Sequence, residues 1–246
     1  MPTDSFARDH LIAHRGWQRR FPENTLPAIR GALDAGARFV EIDVQLSADG
    51  VPVLFHDRTL DRLCRQGGPI HHYTQAQLRE FSAYEPDRFG DQFLGTAIAP
   101  LRDVSALLAA HADAHLFLEV KGLAVLECGN AAVFDALLPC LDQLGERCTL
   151  ISFAHEFLRY AKARGHHRCG PVLNHWQEIH TPLLRDLQPA VVFCDVAELP
   201  GEGDLREFDV PIAVYEVDQP AQARALLNRG VRWVETFAIG EMLAAV

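Results

Sequence analysis

The sequence predicts an α/β protein, a (β/α)8 barrel with a small insertion after its second strand. Short apolar runs alternate with helix-like segments along the 246 residues, as in a sheet whose parallel strands are joined by helices. Eight such repeats in a chain of this length fit a closed barrel better than a doubly wound sheet. Gly16 stands alone after the first strand, so the glycine-rich loop of a dinucleotide-binding sheet is absent.

The predicted elements follow one another in a regular order. Strands are expected at residues 11–14, 39–46, 115–120, 149–153, 168–173, 190–194, 211–217 and 231–236. Helices are expected at residues 24–35, 101–112, 130–145, 155–164, 181–187 and 221–228. Glycine accepts the left-handed conformation that ends many helices, and four glycines stand at such ends: Gly36, Gly145, Gly165 and Gly230.

One region interrupts this alternation. After a short apolar run at 51–55, residues from about 57 to 100 are rich in Gly, Pro, Asp and Gln and contain one short helical pattern at 75–81. Long insertions in compact domains are usually functional. We expect this segment to lie beside the barrel, within a single catalytic domain that spans residues 1–246.

Composition and charge exclude several classes of protein. The formal net charge of -10 argues against nucleic-acid or anionic-membrane partners. No apolar run approaches the length of a membrane span, and the first residues lack the apolar segment of a secretory signal. The six cysteines are scattered without a CxxC pair, so we expect reduced thiols and no cysteine-based zinc site. These features predict a cytoplasmic protein.

Two carboxylates at alternate positions, Glu41 and Asp43, form the most informative motif. Neighbouring side chains of a strand point to opposite faces, so both acids point to the same side. Two like charges in the apolar run 39–44 are costly to bury unless a cation or a proton separates them. Oxygen ligands at close quarters are those that Mg²⁺ or Ca²⁺ requires. The competing interpretation is a half-exposed strand with two solvated acids.

Further polar residues fall at the carboxyl ends of predicted strands, where barrel enzymes carry their reactive groups. His14 ends the first strand, and Glu119 and Lys121 share a face at the end of the third. His56 and Asp57 follow the short hairpin. Each residue alone has an ordinary interpretation, such as a structural histidine, a turn or a surface ion pair. Their convergence on one rim is what a site for phosphate ester cleavage would need.

In order and spacing, these motifs resemble the glycerophosphodiester phosphodiesterase family. The residues that carry the resemblance are His14-Arg15-Gly16, Pro22-Glu23-Asn24-Thr25, Glu41-Ile42-Asp43-Val44, Val53-Leu54-Phe55-His56-Asp57 with Leu60 and Arg62, Leu118-Glu119-Val120-Lys121 and Ile151-Ser152-Phe153. The match is strongest over residues 11–63, recurs near 98–121 and thins towards the carboxyl end. Within it, Asn24 is also an acceptable helix N-cap, which would make its role structural.

The resemblance implies a TIM barrel that depends on Mg²⁺ or Ca²⁺ and cleaves glycerophosphodiesters to sn-glycerol 3-phosphate and an alcohol, in lipid and glycerol metabolism. In the family's usual account a glycerol hydroxyl attacks first, and water then opens the cyclic phosphate. Carried over position by position, the family's roles are metal binding by Glu41, Asp43 and Glu119, acid–base chemistry by His14 and His56, and phosphate contacts by Arg15 and Lys121.

The carboxyl-terminal third departs from the family pattern. Where the family often has Trp-Thr-Val-Asn, this chain has Tyr215-Glu216-Val217-Asp218, and the last strand ends in Glu235-Thr236-Phe237 in place of a Thr-Asp pair. These changes affect the side of the rim where the leaving alcohol or the glycerol would lie. An added acid at Asp218 or Glu216 would favour a cationic head group such as choline or ethanolamine.

Two alternatives remain open at this point. A lysophospholipase D, or a relative of phosphatidylinositol phospholipase C, would keep the barrel but need exposed apolar loops to reach a lipid. The insertion offers only scattered apolar residues for that purpose: Phe81, Tyr84, Phe89, Phe93 and Leu94. A barrel that binds phosphoesters without turnover would have no need for a paired acid and base. The sequence leaves the oligomeric state and the choice of metal open.

Overall fold

The computed structural model describes residues 7–245. Its strands are β1 Leu11–His14, β2 Phe39–Leu46, β3 Pro52–Leu54, β4 His115–Val120, β5 Cys148–Ser152, β6 Cys169–Leu173, β7 Val192–Asp195, β8 Ile212–Tyr215 and β9 Trp233–Thr236. Its helices are α1 Leu26–Asp34, α2 Asp61–Cys64, α3 Gln75–Leu78, α4 Pro86–Phe89, α5 Leu101–Ala109, α6 Gly122–Leu144, α7 His155–Ala163, α8 Pro182–Leu187, α9 Pro220–Asn228 and α10 Ile239–Ala245.

Eight of these strands close into a parallel barrel, which confirms the predicted fold class. β1 pairs with β2 on one side and with β9 on the other, so no edge remains between the first and last strands. β3 lies outside the barrel order and pairs antiparallel with β2. Parallel register places His14 opposite Glu41, and Asp43 opposite Glu119. The closure therefore brings polar residues from distant parts of the chain to one rim.

Alternation along the strands separates two cores. In β2, Val40, Ile42 and Val44 point outward and are buried beneath the helices, whereas Glu41 and Asp43 point into the barrel. Burial of each large apolar side chain stabilises the fold by roughly 1.5–3 kcal/mol. The contacts between the outward-facing side chains and the helices thus stabilise the closed barrel, while the inward-facing acids at its rim are available for chemistry.

An aromatic layer fills the barrel beneath this rim. Phe39, Phe117 and Trp233 lie with ring centroids 5.5–6.1 Å apart. Each stands two positions before an inward-facing carboxylate on the same face of its strand, and these carboxylates are Glu41, Glu119 and Glu235. The rings exclude water from below, so the acids above them are held in a medium of low polarity.

The segment 57–100 carries α2, α3 and α4 and forms a small core of its own against the barrel. Val53, Phe55, Leu63, Ile70 and Leu78 belong to this cluster. The helix expected at 75–81 is shorter than predicted. It begins at a capping box, in which Thr74 and Gln77 exchange hydrogen bonds.

Helix α6 differs most from the prediction. It begins at Gly122, eight residues before the expected start at 130, because two helical segments join across a kink at Gly129 (φ 81°, ψ 157°). Residues Gly122–Arg147 are long and apolar enough to cross a membrane by length and composition alone, so the expectation of no run of that length was wrong. In the barrel, Phe134, Leu137 and Leu141 of this helix are buried in the main core.

Candidate active site

Three carboxylates meet at the carboxyl ends of β2 and β4. Oxygen atoms of Glu41, Asp43 and Glu119 lie within 4.8 Å of one another. Glu41 and Asp43 are 1% and 0% exposed, so their charges are not shared with solvent. Like charges at this separation in a low-polarity site need compensation by cations. The structure thus brings together the three acids that the sequence predicted as metal ligands.

Asp43 is the most firmly held of the three. Asn24 Nδ2 donates to Asp43 Oδ2 at 2.8 Å, and the backbone N–H of Asp43 donates to Asn24 Oδ1 at 2.9 Å. Arg15 Nε lies 3.0 Å from Asp43 Oδ2, and Lys121 Nζ lies 3.2 Å from Asp43 Oδ1. Burial opposes ionisation, but the two cations outweigh it and hold the pKa of Asp43 below its ordinary value. Asp43 is a carboxylate throughout the physiological range.

Glu41 lacks this compensation. Its Oε2 accepts the backbone N–H of Arg15 at 3.1 Å, while its Oε1 is buried with no hydrogen-bond partner. Burial, followed by the charges of Asp43 and Glu235, raises the pKa of Glu41 well above its ordinary value. Burial and Asp43 likewise raise the pKa of Glu119, although Lys121 Nζ lies 2.7 Å from its Oε1. The orphaned oxygen and the hard donor set fit a divalent cation.

Asn24 shows why a sequence pattern can mislead about a role. The helix N-cap of α1 is Thr25, whose side chain accepts the N–H of Ala28, so the expectation that Asn24 caps the helix was wrong. Asn24 instead adopts a left-handed conformation (φ 54°), and both atoms of its amide meet Asp43. In the Pro-Glu-Asn-Thr motif, Thr25 therefore caps helix α1 and Asn24 holds the carboxylate of Asp43.

The turn after β1 aims Arg15 across this cluster. Arg15 and Gly16 are both left-handed, with φ of 55° and 81°. A Cβ at Gly16 would lie 2.6 Å from the backbone of Ala28 in α1, so only glycine fits there. Arg15 Nη1 lies 3.0 Å from Glu23 Oε1. Burial opposes the positive charge, but Asp43 and Glu23 outweigh it and raise the pKa of Arg15 above its ordinary value. Its guanidinium is charged and fixed in orientation.

His14 closes one side of the cluster. Its ring stacks on Phe237 with centroids 4.6 Å apart and an interplanar angle of 9°. Nε2 lies 3.7 Å from Glu41 Oε2, and Nδ1 lies 3.5 Å from Glu216 Oε1. Burial, followed by the positive charge of Arg15, lowers the pKa of His14 well below 6.5. The imidazole is therefore neutral at neutral pH and able to accept a proton.

His56 is held on the other side by a chain of polar groups. Its Nδ1 lies 2.8 Å from Asp57 Oδ1, and Asp57 Oδ2 accepts from Arg62 Nε at 2.7 Å. Gln45 Nε2 donates to three successive carbonyls of this loop, at 2.7–3.2 Å. Arg62 also donates to both oxygens of the buried Glu23. With Nδ1 bound to Asp57, Nε2 is the ring nitrogen left for a ligand.

A cavity of about 130 Å³ lies among these side chains. Six of the seven predicted site residues line it: His14, Arg15, Glu41, His56, Glu119 and Lys121. The seventh, Asp43, is fully buried and paired with Arg15 and Lys121. Tyr215, Glu216 and Glu235 also line the cavity, although none of them was among the predicted site residues.

The departures from the family pattern have different positions in this site. Asp218 accepts hydrogen bonds from Thr236 Oγ1 at 2.7 Å and from the backbone N–H of Phe237 at 3.1 Å, and pairs with Arg19 at 3.2 Å. Its charge is used to hold the turn that presents Phe237 to His14. Glu216 and Glu235, the other two acids of the departing segments, both line the cavity.

Residues 14–240 match the model of the Glycerophosphoryl diester phosphodiesterase family. The chain belongs to this family. A similar curated protein is the glycerophosphodiester phosphodiesterase of Caldanaerobacter subterraneus, which is 33% identical over 159 residues. Another is glycerophosphodiester phosphodiesterase 1 of Rattus norvegicus, which is 34% identical over 176 residues. The aligned stretches cover 64% and 71% of this chain, and 63% and 52% of those two proteins.

Solved structures of the family share the barrel. The glycerophosphodiester phosphodiesterase of Agrobacterium tumefaciens is 25% identical, with a TM-score of 0.76 and coverage of 96% of this chain and 99% of that one. A phosphodiesterase of Oleispira antarctica, solved with the product sn-glycerol-3-phosphate, is 24% identical with a TM-score of 0.82 and 96% coverage of both chains. The barrel order described above is therefore that of the family.

Proposed function

We propose that this protein is a metal-dependent phosphodiesterase that hydrolyses glycerophosphodiesters to sn-glycerol 3-phosphate and an alcohol. The observation that carries the proposal is the cavity in which three carboxylates, two cationic side chains and two histidines meet. Family membership and the names of the curated relatives support the same reaction. The substrate is a small soluble molecule, for which a cavity of about 130 Å³ has room for the phosphoryl end.

Glu41, Asp43 and Glu119 would hold one divalent cation, Mg²⁺ or Ca²⁺. When bound, the cation supplies Lewis-acid stabilisation of the charge that develops on the phosphoryl oxygens. The partnerless Oε1 of Glu41 supports this assignment, because an unpaired buried carboxylate oxygen is otherwise costly.

The side chains of this chain then provide the remaining chemistry. Arg15 and Lys121 orient the phosphate, the first by its fork of N–H groups and the second as a compact charge. His14, neutral because it is buried, accepts the proton of the glycerol hydroxyl that attacks phosphorus. His56, oriented by Asp57, protonates the oxygen of the departing alcohol as the phosphorus–oxygen bond breaks. Water then opens the cyclic phosphate with the histidine roles reversed.

The lipid-directed alternative is not favoured. Phe89 packs edge-on against Phe93, whose ring also meets Phe21, and Phe81 packs against Tyr73. Phe81, Phe89 and Phe93 therefore pack against aromatic neighbours, whereas Leu94 of the same segment is 64% exposed. A non-catalytic phosphoester-binding protein gains no support either, since both histidines line the cavity.

We also propose that the barrel and segment 57–100 act as one catalytic domain, because His56 immediately precedes that segment and Asp57 and Arg62, which hold His56 in place, belong to it. Location in the cytoplasm remains a prediction. All six cysteines are free thiols, a state that a reducing compartment maintains.

A substrate panel tests the proposed reaction. The Mg²⁺- or Ca²⁺-saturated protein is incubated with glycerophosphocholine, glycerophosphoethanolamine, glycerophosphoglycerol and a lysophospholipid. Release of sn-glycerol 3-phosphate is measured for the three diesters, and release of lysophosphatidic acid for the lysophospholipid. We expect release of sn-glycerol 3-phosphate from the soluble diesters and little or no hydrolysis of the lysophospholipid. Turnover of the lysophospholipid alone would indicate a lysophospholipase D. If metal is bound and no substrate is turned over, the result would indicate a protein that binds phosphoesters without catalysis.

Glu216 is expected to influence the choice of head group. It is half-exposed, lines the cavity and carries no lysine or arginine partner among the ion pairs of residues 7–245. We expect Glu216→Gln to lower kcat/KM for glycerophosphocholine about fivefold, as loss of a partly exposed ion pair worth ~1 kcal/mol would do. The kcat/KM for glycerophosphoglycerol, which has no cation, should fall less, by the part that the 3.5 Å contact of Glu216 with His14 contributes to both substrates. Glu198→Gln, on the same rim but paired with His175, is the matched control; an equal loss on both substrates would contradict this role.

A further inference from the structure

A fourth carboxylate faces the cavity from β9. Glu235 is 2% exposed, lines the cavity and stands two positions after Trp233 of the aromatic layer. Its Oε1 has no hydrogen-bond partner. An ionised carboxylate in such a place is costly unless a cation or polar hydrogen meets it. In the sequence, Glu235 stands in a departure from the family pattern at the end of the last strand, which by itself assigns it no role.

Glu235 is close to Glu41, the least compensated of the three acids described above. Ligand atoms of His14, Glu41 and Glu235 lie within 4.8 Å of one another. Glu41 therefore belongs to two clusters, one with Asp43 and Glu119 and one with Glu235. Glu41 and Glu235, each with one buried oxygen that has no hydrogen-bond partner, line the same cavity.

The fixed cations of the site are engaged elsewhere. Arg15 pairs with Asp43 and Glu23, and Lys121 pairs with Asp43 and Glu119. Within residues 7–245, no arginine or lysine forms an ion pair with Glu235. Arg15 is also shared with Glu23, so the two cations leave at least two negative charges of Glu41, Asp43, Glu119 and Glu235 uncompensated, and a divalent cation would balance them.

We propose that Glu235 is a further ligand of the divalent cation, so that this site binds metal with four carboxylates in place of three. The proposal rests on the metal site of the proposed function and extends it. More carboxylate oxygens suit Ca²⁺, which takes six to eight ligands at flexible geometry, better than Mg²⁺, which keeps several waters. Glu235 accordingly biases the site towards Ca²⁺.

The test measures metal binding and not turnover. The chelator-stripped wild type and Glu235→Gln are titrated with Ca²⁺ and with Mg²⁺ by calorimetry. Glutamine keeps the shape and removes the charge, so we expect Ca²⁺ affinity to fall on the order of 10- to 100-fold, as loss of groups that support a metal does, and Mg²⁺ affinity to fall less. Glu198→Gln, which removes a carboxylate on the same rim that pairs with His175, is the control and should bind both ions as the wild type does.

The outcomes separate the two proposals. Glutamine has the shape of a protonated, neutral glutamate. Equal Ca²⁺ affinity in the wild type and Glu235→Gln would therefore mean that the charge of Glu235 does not contribute to binding, and would overturn its role as a ligand. Absence of any divalent-cation binding by the wild type would instead overturn the metal-dependent function itself. Metal-free melting temperature reports folding, and Glu235→Met, similar in size and without charge, is the second variant. It should bind Ca²⁺ as weakly as Glu235→Gln; wild-type affinity in either folded variant would contradict the proposal.

Discussion

Replacement of His14 by alanine is expected to lower kcat by about 10²- to 10⁴-fold, the range that general acid–base catalysis contributes. The ring lies at the cavity wall, 3.7 Å from Glu41 and stacked on Phe237. Its loss would remove the proposed acceptor of the hydroxyl proton but leave all three carboxylates in place. Metal affinity should therefore change far less than turnover, which is measured by comparing steady-state kinetics with calorimetric titration of the same variant.

His175→Ala is the control for this variant. His175 stands after β6, on the same end of the barrel, with an exposed side chain that pairs with Glu198. We expect wild-type turnover from it. A His14→Ala variant that keeps more than a tenth of the wild-type kcat while remaining folded would contradict the assignment of His14 as an acid–base group.

The same residue predicts a pH dependence. A general base acts in its neutral form, and burial and Arg15 lower the pKa of His14 below 6.5. The neutral form therefore persists as the pH falls below 6.5, and kcat/KM should decline only as the pH passes through the lowered pKa. A rate profile whose acidic limb has its midpoint above 6.5 would conflict with this expectation.

Asp43→Asn is expected to remove metal binding and to destabilise the fold. Asp43 is fully buried and touches Arg15, Lys121 and Asn24, so the neutral variant leaves two buried cations without part of their compensation. Breaking a buried ion pair from one side costs about 3–5 kcal/mol. Urea denaturation measures the lost free energy of unfolding, and calorimetry measures the lost affinity for the divalent cation.

Asp195→Asn is the matched control for Asp43→Asn. Asp195 ends β7 on the same rim, and its side chain accepts the N–H of Ala197 at 2.8 Å, a bond that asparagine can also accept. This variant should unfold at the wild-type urea concentration and bind metal normally. Unchanged cation affinity in Asp43→Asn would show that the ion lies elsewhere.

Much of the barrel was predictable because its signals are local. Alternation of apolar and polar residues placed Glu41 and Asp43 on one inner face, and the position of His14 at a strand end placed it on the rim. Glycines at helix ends located several strand starts: Gly36 has φ 101° and precedes β2 by three positions. These features depend on neighbours in sequence, which is why the strands were located within a few residues.

Other features depend on contacts between distant residues and could not be foreseen. The hydrogen bonds between Asn24 and Asp43 form only when the turn after β1 folds over β2. The hydrogen bond from the backbone N–H of Phe237 to Asp218 forms only after β8 and β9 pair. The proposed metal-binding role of Glu235 depends on its proximity to Glu41, which lies 194 positions earlier in the chain. Helix α10 follows β9 closely and shows too short a pattern to be recognised.

One measurement tests the central claim most directly. The protein is stripped of metal by a chelator, supplied with Mg²⁺, Ca²⁺ or no ion, and assayed for sn-glycerol 3-phosphate release from glycerophosphocholine, with His14→Ala in parallel. We predict no release without the ion, recovery with at least one of the two ions, and no recovery in His14→Ala. Undiminished release by the metal-free protein, or full recovery in His14→Ala, would contradict a metal-dependent phosphodiesterase built on this rim.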